Sequence, residues 1–282
     1  MADPMLGSAP QRNEIFAGNR AVGRIAFTVA AGPGGSRRGR VHESGSLRVR
    51  FPNGNSRAAL EAVIVNTGGG MTGGDRFDVD IKVGAGARLS VTTAAAEKIY
   101  RSLGPDTDIG VKLDVGPGGA LAWLPQETIV FDQARLRRSI DIELARDANL
   151  LLAEAAVFGR SAMGEAVVQG HFFDRWRLRV GGALVFAETL RLDGDIAQRL
   201  AQRVITSGGV AVASVIKCPG NDSDAAAVRA VQDRFAGEVG VSSWNGLVAT
   251  RLVASDGAVL RHDLVAVLTA LDAAPLPRLW LN

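Results

Sequence analysis

The chain has 282 residues, enough for one large domain or two small ones with a sizeable core. Hydrophobic residues make up 47% and charged residues 22%, a balance that excludes intrinsic disorder, a collagen-like repeat and a coiled coil. Glycine accounts for 34 residues, about 12% against roughly 7% in average proteins, and such frequent turning disfavours a helical bundle.

The net charge of +3 belongs to a chain with 28 arginines and four lysines. Arginine recognises carboxylates in a bidentate way and anchors protein interfaces, although a compositional bias of the genome explains the excess equally well. The basic residues are scattered and are not interleaved with aromatic side chains, so we expect no nucleic-acid partner.

The start of the chain carries no sign of a secretory signal, because residues 1–8 lack a basic segment followed by an apolar one. No stretch approaches about 18 apolar residues, the length that a membrane helix needs. We therefore expect a cytoplasmic protein without membrane contact. A flexible tail is predicted over residues 1–18, followed by a single β domain over residues 19–282.

Residues 66–75 (NTGGGMTGGD) place five glycines within seven positions. A phosphate-binding loop needs a following Lys-Ser/Thr pair, and a dinucleotide fingerprint needs a following helix. Neither follows here, because the next segment, FDVDIKV, alternates as a strand does. The segment is therefore predicted to be a tight turn with several residues at positive φ, and the alternative is a binding groove lined by backbone.

Alternation of apolar and polar residues predicts half-buried strands at residues 77–83 (FDVDIKV), 109–115 (IGVKLDV) and 140–144 (IDIEL). Each is followed by a turn of similar length and a second apolar strand, and the copies are offset by 32 and then 29 residues. A fourth copy at residues 178–186 has a shorter turn. This repeat predicts stacked β layers, as in a solenoid or β-helix, and a β-sandwich with regular hairpins is the alternative.

The last third changes character. Ser223 or Asp222 can cap a helix over residues 224–236, and a second helix is predicted over residues 262–273, where two prolines follow. Residues 241–253 between them are predicted to be extended. About two α-helices are therefore expected, both in the C-terminal third.

Several carboxylates stand among apolar or small residues, where a charge must find a partner or shift its pKa. These acids, with the aspartate beside the glycine turn, are Asp75, Glu97, Glu127, Glu154, Glu165 and Glu188. One interpretation is ion pairing with arginines such as Arg160 and Arg191. The other is a polar interior path that holds water or passes a divalent cation.

Other chemistry has little support in the sequence. His42, His171 and His262 are far apart, and none has the i, i+4 spacing of a metal site. A GxSxG nucleophile motif is absent. Cys218, the single cysteine, cannot form an internal disulfide bond, and it is predicted to be a small buried side chain.

Six segments, in order and over roughly residues 20–280, resemble the family of the urease accessory protein UreD, also called UreH. They are residues 66–75 (NTGGGMTGGD), 92–102 (TTAAAEKIYRS), 124–138 (LPQETIVFDQARLRR), 158–165 (FGRSAMGE), 174–182 (DRWRLRVGG) and 242–246 (SSWNG). The resemblance implies a non-enzymatic assembly factor with a right-handed, largely β-helical body and a couple of helices.

The same resemblance implies partners and a cargo. It predicts binding to UreF, through UreF to the GTPase UreG, and to the urease apoprotein, and it leaves room for a dimer of the accessory complex. It implies no tightly bound cofactor, with nickel in transit through an internal passage. The predicted stations of a transient nickel path are Asp75, Glu97, Glu154, Glu165 and Glu188.

Two other classes of function stay open on the residues alone. A β-helical hydrolase acting on carbohydrate needs a carboxylate pair and usually aromatic sugar platforms, and aromatic residues make up only 5% of this chain. A purely structural β-repeat protein does not need the embedded acids. Co-purification with apo-urease and UreF distinguishes the accessory function from both.

Overall fold

A computed structural model describes residues 20–52, 59–160, 163–272 and 275–281, and the tail predicted over residues 1–18 lies outside them. The described chain is mainly β. In chain order its strands are β1 (Val22–Gly32), β2 (Gly35–Ser44), β3 (Leu47–Arg50), β4 (Leu60–Asn66), β5 (Arg76–Val83), β6 (Arg88–Thr93), β7 (Glu97–Ile99), β8 (Thr107–Val115), β9 (Ala120–Trp123), β10 (Thr128–Val130), β11 (Arg135–Leu144), β12 (Asn149–Phe158), β13 (Gln169–Val180), β14 (Ala183–Asp195), β15 (Ala211–Cys218), β16 (Glu238–Trp244) and β17 (Leu247–Ala254).

These strands form two sheets. Sheet A has the order β14-β13-β11-β8-β5-β1-β2, and sheet B has the order β16-β17-β15-β12-β9-β6-β4-β3, with β10 pairing with β12 and β7. Strands β1, β5, β8, β11 and β13 are parallel neighbours in sheet A, as are β4, β6, β9 and β12 in sheet B. The turns after β5, β8 and β11 carry the chain from sheet A to sheet B.

The result is a β-solenoid of about four turns, which confirms the predicted repeat. The sequence alternative, a sandwich of regular hairpins, is wrong for the first three copies. The fourth copy differs from them, because its short turn at Gly181 and Gly182 folds β14 back antiparallel to β13 within sheet A. Antiparallel strands thus end the solenoid: β2 and β3 at one end, and β14 to β17 at the other.

The core between the sheets is built from rows of inward-facing residues. One row joins Val79, Val111, Ile140 and Trp176 on four successive parallel strands, and each of these side chains is buried. Identical spacing from strand to strand keeps apolar side chains in register, so each coil covers the next. A second core lies on the outer face of sheet B, where helices cover β12, β15 and β17.

Three helices are present in the described part of the chain, all in its C-terminal third: α1 (Ile196–Ala201), α2 (Asp222–Arg229) and α3 (Gly257–Leu271). The helix predicted over 224–236 stops at Arg229 and is followed by a separate 3-10 turn. Its cap is Asn221, one residue before the predicted candidates. Helix α3 begins five residues before the predicted start at 262, because Asp256 caps it. No helix in the described ranges is long and apolar enough to cross a membrane.

The glycine segment forms the predicted tight turn, with Gly69, Gly70 and Gly74 at positive φ. Gly70 is required by close packing, because a Cβ there would lie 2.4 Å from the Tyr100 ring. Met71 is buried. Its backbone N–H donates to the carbonyl oxygen of Lys98, and its carbonyl oxygen accepts from the N–H of Tyr100, just after β7. The turn therefore fixes the start of β5 against the short ladder of β7 and β10.

Candidate functional site

One inward-facing row of sheet A contains two buried charged residues. The row begins with Phe77 in β5 and Ile109 in β8, and it continues with Arg138 in β11 and Asp174 in β13. Both charged residues are about 95% buried. Because they occupy facing positions on neighbouring parallel strands, their side chains meet directly.

Arg138 joins the two sheets. Its Nε donates to Asp174 Oδ1 at 3.0 Å, and its Nη2 donates to Asp174 Oδ2 at 2.5 Å, which is a bidentate pair. Its Nη1 donates to Glu154 of sheet B and, at 3.3 Å, to Thr128 Oγ1. One guanidinium therefore bridges two buried carboxylates from different strands, and the cluster carries one excess negative charge when both are ionised.

Glu154 lies on β12, which is buried on both faces. Leu150, Leu152, Ala156 and Phe158 share its inward face, whereas the alternate residues pack under the helices. Trp123 Nε1 donates to Glu154 Oε1 at 2.8 Å. Burial raises the pKa of Glu154 above its ordinary value, although Arg138 acts in the opposite direction. Burial alone would lower the pKa of Arg138, but Asp174 and Glu154 together raise it.

A small cavity lies beside this cluster. Its volume is about 30 Å³, more than the roughly 10–15 Å³ that one water molecule requires. Its polar lining consists of Arg138, Glu154, Asp174, Glu188 and Ser214. The site is thus a water-sized space with three carboxylates, one guanidinium and one hydroxyl around it.

Glu188 connects the cavity to the surface. It faces inward from β14, and its carboxylate accepts from Arg251 Nη2 at 2.9 Å and Nε at 3.3 Å. The Arg251 side chain is 55% exposed and that of Glu188 is 22% exposed. This second ion pair between the sheets therefore lies at the rim, where the solenoid ends.

Glu97 lies two strands away in the same part of the interior. Its ladder partner in β10 is Thr128, whose own partner in β12 is Ala156, the next inward residue after Glu154. Asn66 Nδ2 donates to Glu97 Oε1 at 2.9 Å. Burial raises the pKa of Glu97, and the hydrogen bond from Asn66 opposes that rise.

Asp75 and Glu165 have local partners elsewhere. Asp75 accepts from the backbone N–H groups of Ala21 and Thr72, each at 2.8 Å, and thereby closes the glycine turn. Glu165 pairs with Arg160 at 2.5 Å, in a loop whose Arg160 guanidinium also covers the Phe131 ring. Two of the five predicted stations, Glu154 and Glu188, line the cavity, and Glu97 lies near it. Asp75 and Glu165 do not line it.

The residues that pair with Glu154 and Glu188 or complete their cluster were not identified from the sequence. Arg160 and Arg191, suggested as partners for the embedded acids, pair with Glu165 and Asp193, and neither reaches Glu154. The missed residues are Arg138, Asp174 and Arg251. Arg138 and Asp174 could have been recognised as inward-facing, because each alternates in step with the inward apolar residues of its own strand.

The described residues contain no group of three or more His, Cys, Asp or Glu side chains arranged to hold a metal ion. His171 bonds to Asp193 and His262 to Asp263, each at 3.0 Å, and His42 is exposed. Burial raises the pKa of the Cys218 thiol. What the cavity offers a cation is carboxylate and hydroxyl oxygen, in competition with Arg138 and Arg251.

Comparison with known proteins gives a consistent result. Residues 21–281 match the family model of the UreD urease accessory protein. The chain is 57% identical over 268 residues to the urease accessory protein UreD of Rhodopseudomonas palustris strain HaA2, covering 95% of this chain and 96% of the relative. It is 53% identical to UreD of Bradyrhizobium diazoefficiens, over 96% of this chain and 97% of that protein.

Proposed function

Since the chain belongs to the family of UreD urease accessory proteins, we propose that it is a cytoplasmic scaffold for inserting nickel into apo-urease. In this proposal it binds UreF, recruits the GTPase UreG through UreF, and contacts the urease apoprotein. It performs no catalytic step and keeps no cofactor. The observation that carries the proposal is the family match over almost the whole chain, at 50% identity or more to several curated relatives.

The cavity supports a second part of the proposal, in which nickel passes through the body of the protein as cargo. Carboxylate oxygens bind a borderline divalent cation, and a guanidinium that competes for the same oxygens prevents tight retention. Glu154 and Glu188 are the proposed interior stations, and Glu97, two strands from Glu154, is proposed as the next station. Asp75 and Glu165, each held by local hydrogen bonds, are proposed only as outer positions of the path.

Co-purification tests the scaffold. Tagged chain, UreF and apo-urease are co-expressed, and a stable complex is the expected result. A chain that folds but captures neither partner contradicts the proposal. The two other classes of function predict different outcomes, namely turnover of a polysaccharide or the absence of any urease-related partner.

The passage is tested by Glu188→Gln and Glu154→Gln, which keep the shape of each side chain and remove its charge. Glu143→Gln is the matched control, because Glu143 pairs with Arg179 at 3.5 Å on the outer face of sheet A. Glu188→Gln, at the rim, should retain its melting temperature and UreF binding yet activate urease several-fold less than the control. Glu154→Gln removes a buried partner of Arg138, so its activation is compared with the control only under conditions in which both variants are folded and bind UreF. If every loss of activation follows a loss of stability or of partner binding, the acids are structural.

The proposal also assigns nucleotide hydrolysis to the partner. The glycine turn lacks the Lys and Ser/Thr that hold phosphate and magnesium, so the purified chain should hydrolyse neither GTP nor ATP. Turnover that persists after further purification contradicts this.

A further inference from the structure

The outer face of sheet A is covered with charges, most of which are neutralised in pairs. Arg137 contacts Asp108 at 2.5 Å, and Arg175 contacts Asp141 at 2.9 Å. Further pairs across or along the strands are Arg76–Asp78, Arg135–Asp106, Arg179–Glu143 and Arg191–Asp193. Solvated ion pairs of this kind leave little net field over most of the sheet.

The end of the sheet formed by β1 and β2 is different. Arg24, Arg37, Arg40 and Lys82 project from this face, and none of them forms an ion pair with another described residue. His42 is exposed between them, and Asp80 is the carboxylate in their midst. In the strand register Asp78 lies opposite Arg24 and Asp114 opposite Lys82, whereas Arg37 and Arg40 of β2 have no acidic residue opposite them in β1.

These side chains border a groove. Its floor is formed by Ala26 and Thr28 of β1, one wall by Arg40 and His42 of β2, and the other wall by Asp80 and Lys82 of β5. The volume is about 530 Å³. The small floor residues create the depression, because the neighbouring strands carry long side chains at the same level. We call this feature the basic groove.

The spacing of the basic residues around the groove suits an extended chain. The groove is lined at the levels of Ala26 to Thr28, and Arg24 lies beyond one end of it and Arg37, whose ladder partner is Ala30, beyond the other. Six residues of strand separate these two levels, which is about 20 Å. Side chains on one face of a bound strand recur every second residue, so acidic residues at alternate positions would reach successive basic groups.

The chemistry of the groove favours a polypeptide that carries carboxylates over a nucleic acid. The groove has no exposed Phe, Tyr or Trp ring on which bases could stack. Arginine is suited to bidentate contact with carboxylates.

We propose that the basic groove binds an extended, acidic segment of a partner protein, with carboxylates at alternate positions facing Arg24, Arg40 and Arg37. The site lies on the outer face of sheet A, whereas the interior cavity opens between the sheets at the opposite end of sheet A. The proposal therefore stands independently of nickel transfer.

The test uses the full chain and a fluorescein-labelled ten-residue peptide that alternates Glu and Thr, measured by fluorescence anisotropy at low and at physiological salt. The variant is Arg37→Gln/Arg40→Gln. The matched control is Arg137→Gln/Arg175→Gln, which removes the same charge from the same face at residues that are already paired. All four arginines are at least partly exposed, and melting temperatures should confirm that both double variants fold.

The groove variant should bind the peptide roughly ten-fold more weakly, since each exposed charge pair contributes a factor of a few. The control should change affinity less than two-fold, and a Gln-Thr peptide should not bind. Equal losses in both variants would show that only net charge matters and would overturn the proposal. No binding of the acidic peptide to the wild-type chain, or tighter binding of a ten-nucleotide single strand, would overturn it as well.

Discussion

Replacing Arg138 with methionine removes the one guanidinium that contacts both buried carboxylates of the cluster. Methionine is similar in length and leaves no large void, so the effect reports on charge more than on packing. Glu154 and Asp174 would then face each other's charge in the interior with the indole of Trp123 as the nearest remaining donor to Glu154. Their carboxylates would have to be protonated or hydrated.

The expected cost follows from burial. Removing one partner of a buried ion pair destabilises a protein by about 3–5 kcal/mol, because an uncompensated charge is left behind. For a chain of this size, that corresponds to a fall in melting temperature of roughly 6–15 °C. The outer arginine Arg137, whose side chain is 57% exposed, forms a single-contact pair with Asp108. Arg137→Met should cost about 1 kcal/mol or less, since exposed pairs contribute little.

The sign of the pH dependence follows from the buried carboxyl group of Glu154. Burial already raises the pKa of Glu154, and loss of Arg138 raises it further. A carboxyl group whose folded-state pKa is raised binds more protons in the folded state, so stability falls as pH rises from the unfolded-state pKa to the raised one. The deficit of Arg138→Met should therefore be largest near neutral pH and smaller in acid.

A compensating variant separates charge from packing. Arg138→Met/Glu154→Gln/Asp174→Asn removes all three charges, and it should be more stable than Arg138→Met at neutral pH, because a buried amide costs less than a buried unpaired charge. Urea unfolding followed by tryptophan fluorescence, at pH 7 and near pH 4.5, gives the free energies of all the variants. The reasoning is refuted if Arg138→Met costs as little as Arg137→Met, or if the triple variant is no more stable than the single one.

Three further expectations concern the turn, a helix cap and metal. Gly70→Ala should destabilise by about 1–3 kcal/mol, because φ is +149° and the added Cβ meets Tyr100, whereas Gly34→Ala, which meets nothing within 4 Å, should be near neutral by thermal melting. Asp256→Ala should cost about 1 kcal/mol as lost capping of α3. The pKa of Asp256 is lowered chiefly by the N–H of Val259, so this contribution should vanish as pH falls through that lowered pKa in acid unfolding curves. EDTA should leave the melting temperature of the purified chain unchanged, and a large fall would reveal a structural metal.

The strands and their stacking could be predicted because both depend on local pattern. Alternation gave the inward face of β5, β8 and β11, and the regular offset of the copies gave the solenoid. The same rule also locates Arg138. The strand predicted at residues 140–144 begins at Arg135 in the structure. Because every second residue faces inward, the inward position that precedes Ile140 is Arg138. Asp174 follows from Phe172 and Trp176 in the same way.

The pairing of these charges could not be predicted in this manner. Arg138 and Glu154 are 16 residues apart on strands of different sheets, and Arg251 and Glu188 are 63 apart. Their contact depends on which strands face each other, which alternation within one strand does not specify. The starts of α2 and α3 were missed for a simpler reason. For α2 the predicted caps, Asp222 and Ser223, lie one and two residues after the cap that the helix uses, Asn221. For α3 the prediction followed apolar spacing, whereas the helix begins at the cap Asp256.

The position of the cluster follows from how a solenoid ends. In the middle coils the inward rows are largely apolar, and an apolar neighbour on each side offers no partner for a charge. At the last coils the repeat gives way to antiparallel strands, and β14 and β17 bring Glu188 and Arg251 to the same interior. Arg138, Asp174 and Glu154 satisfy one another on the last parallel strands, β11, β12 and β13, beside the space that the antiparallel strands close. The regular coils therefore supply a rigid frame, and the chemistry is confined to the end where the frame is closed.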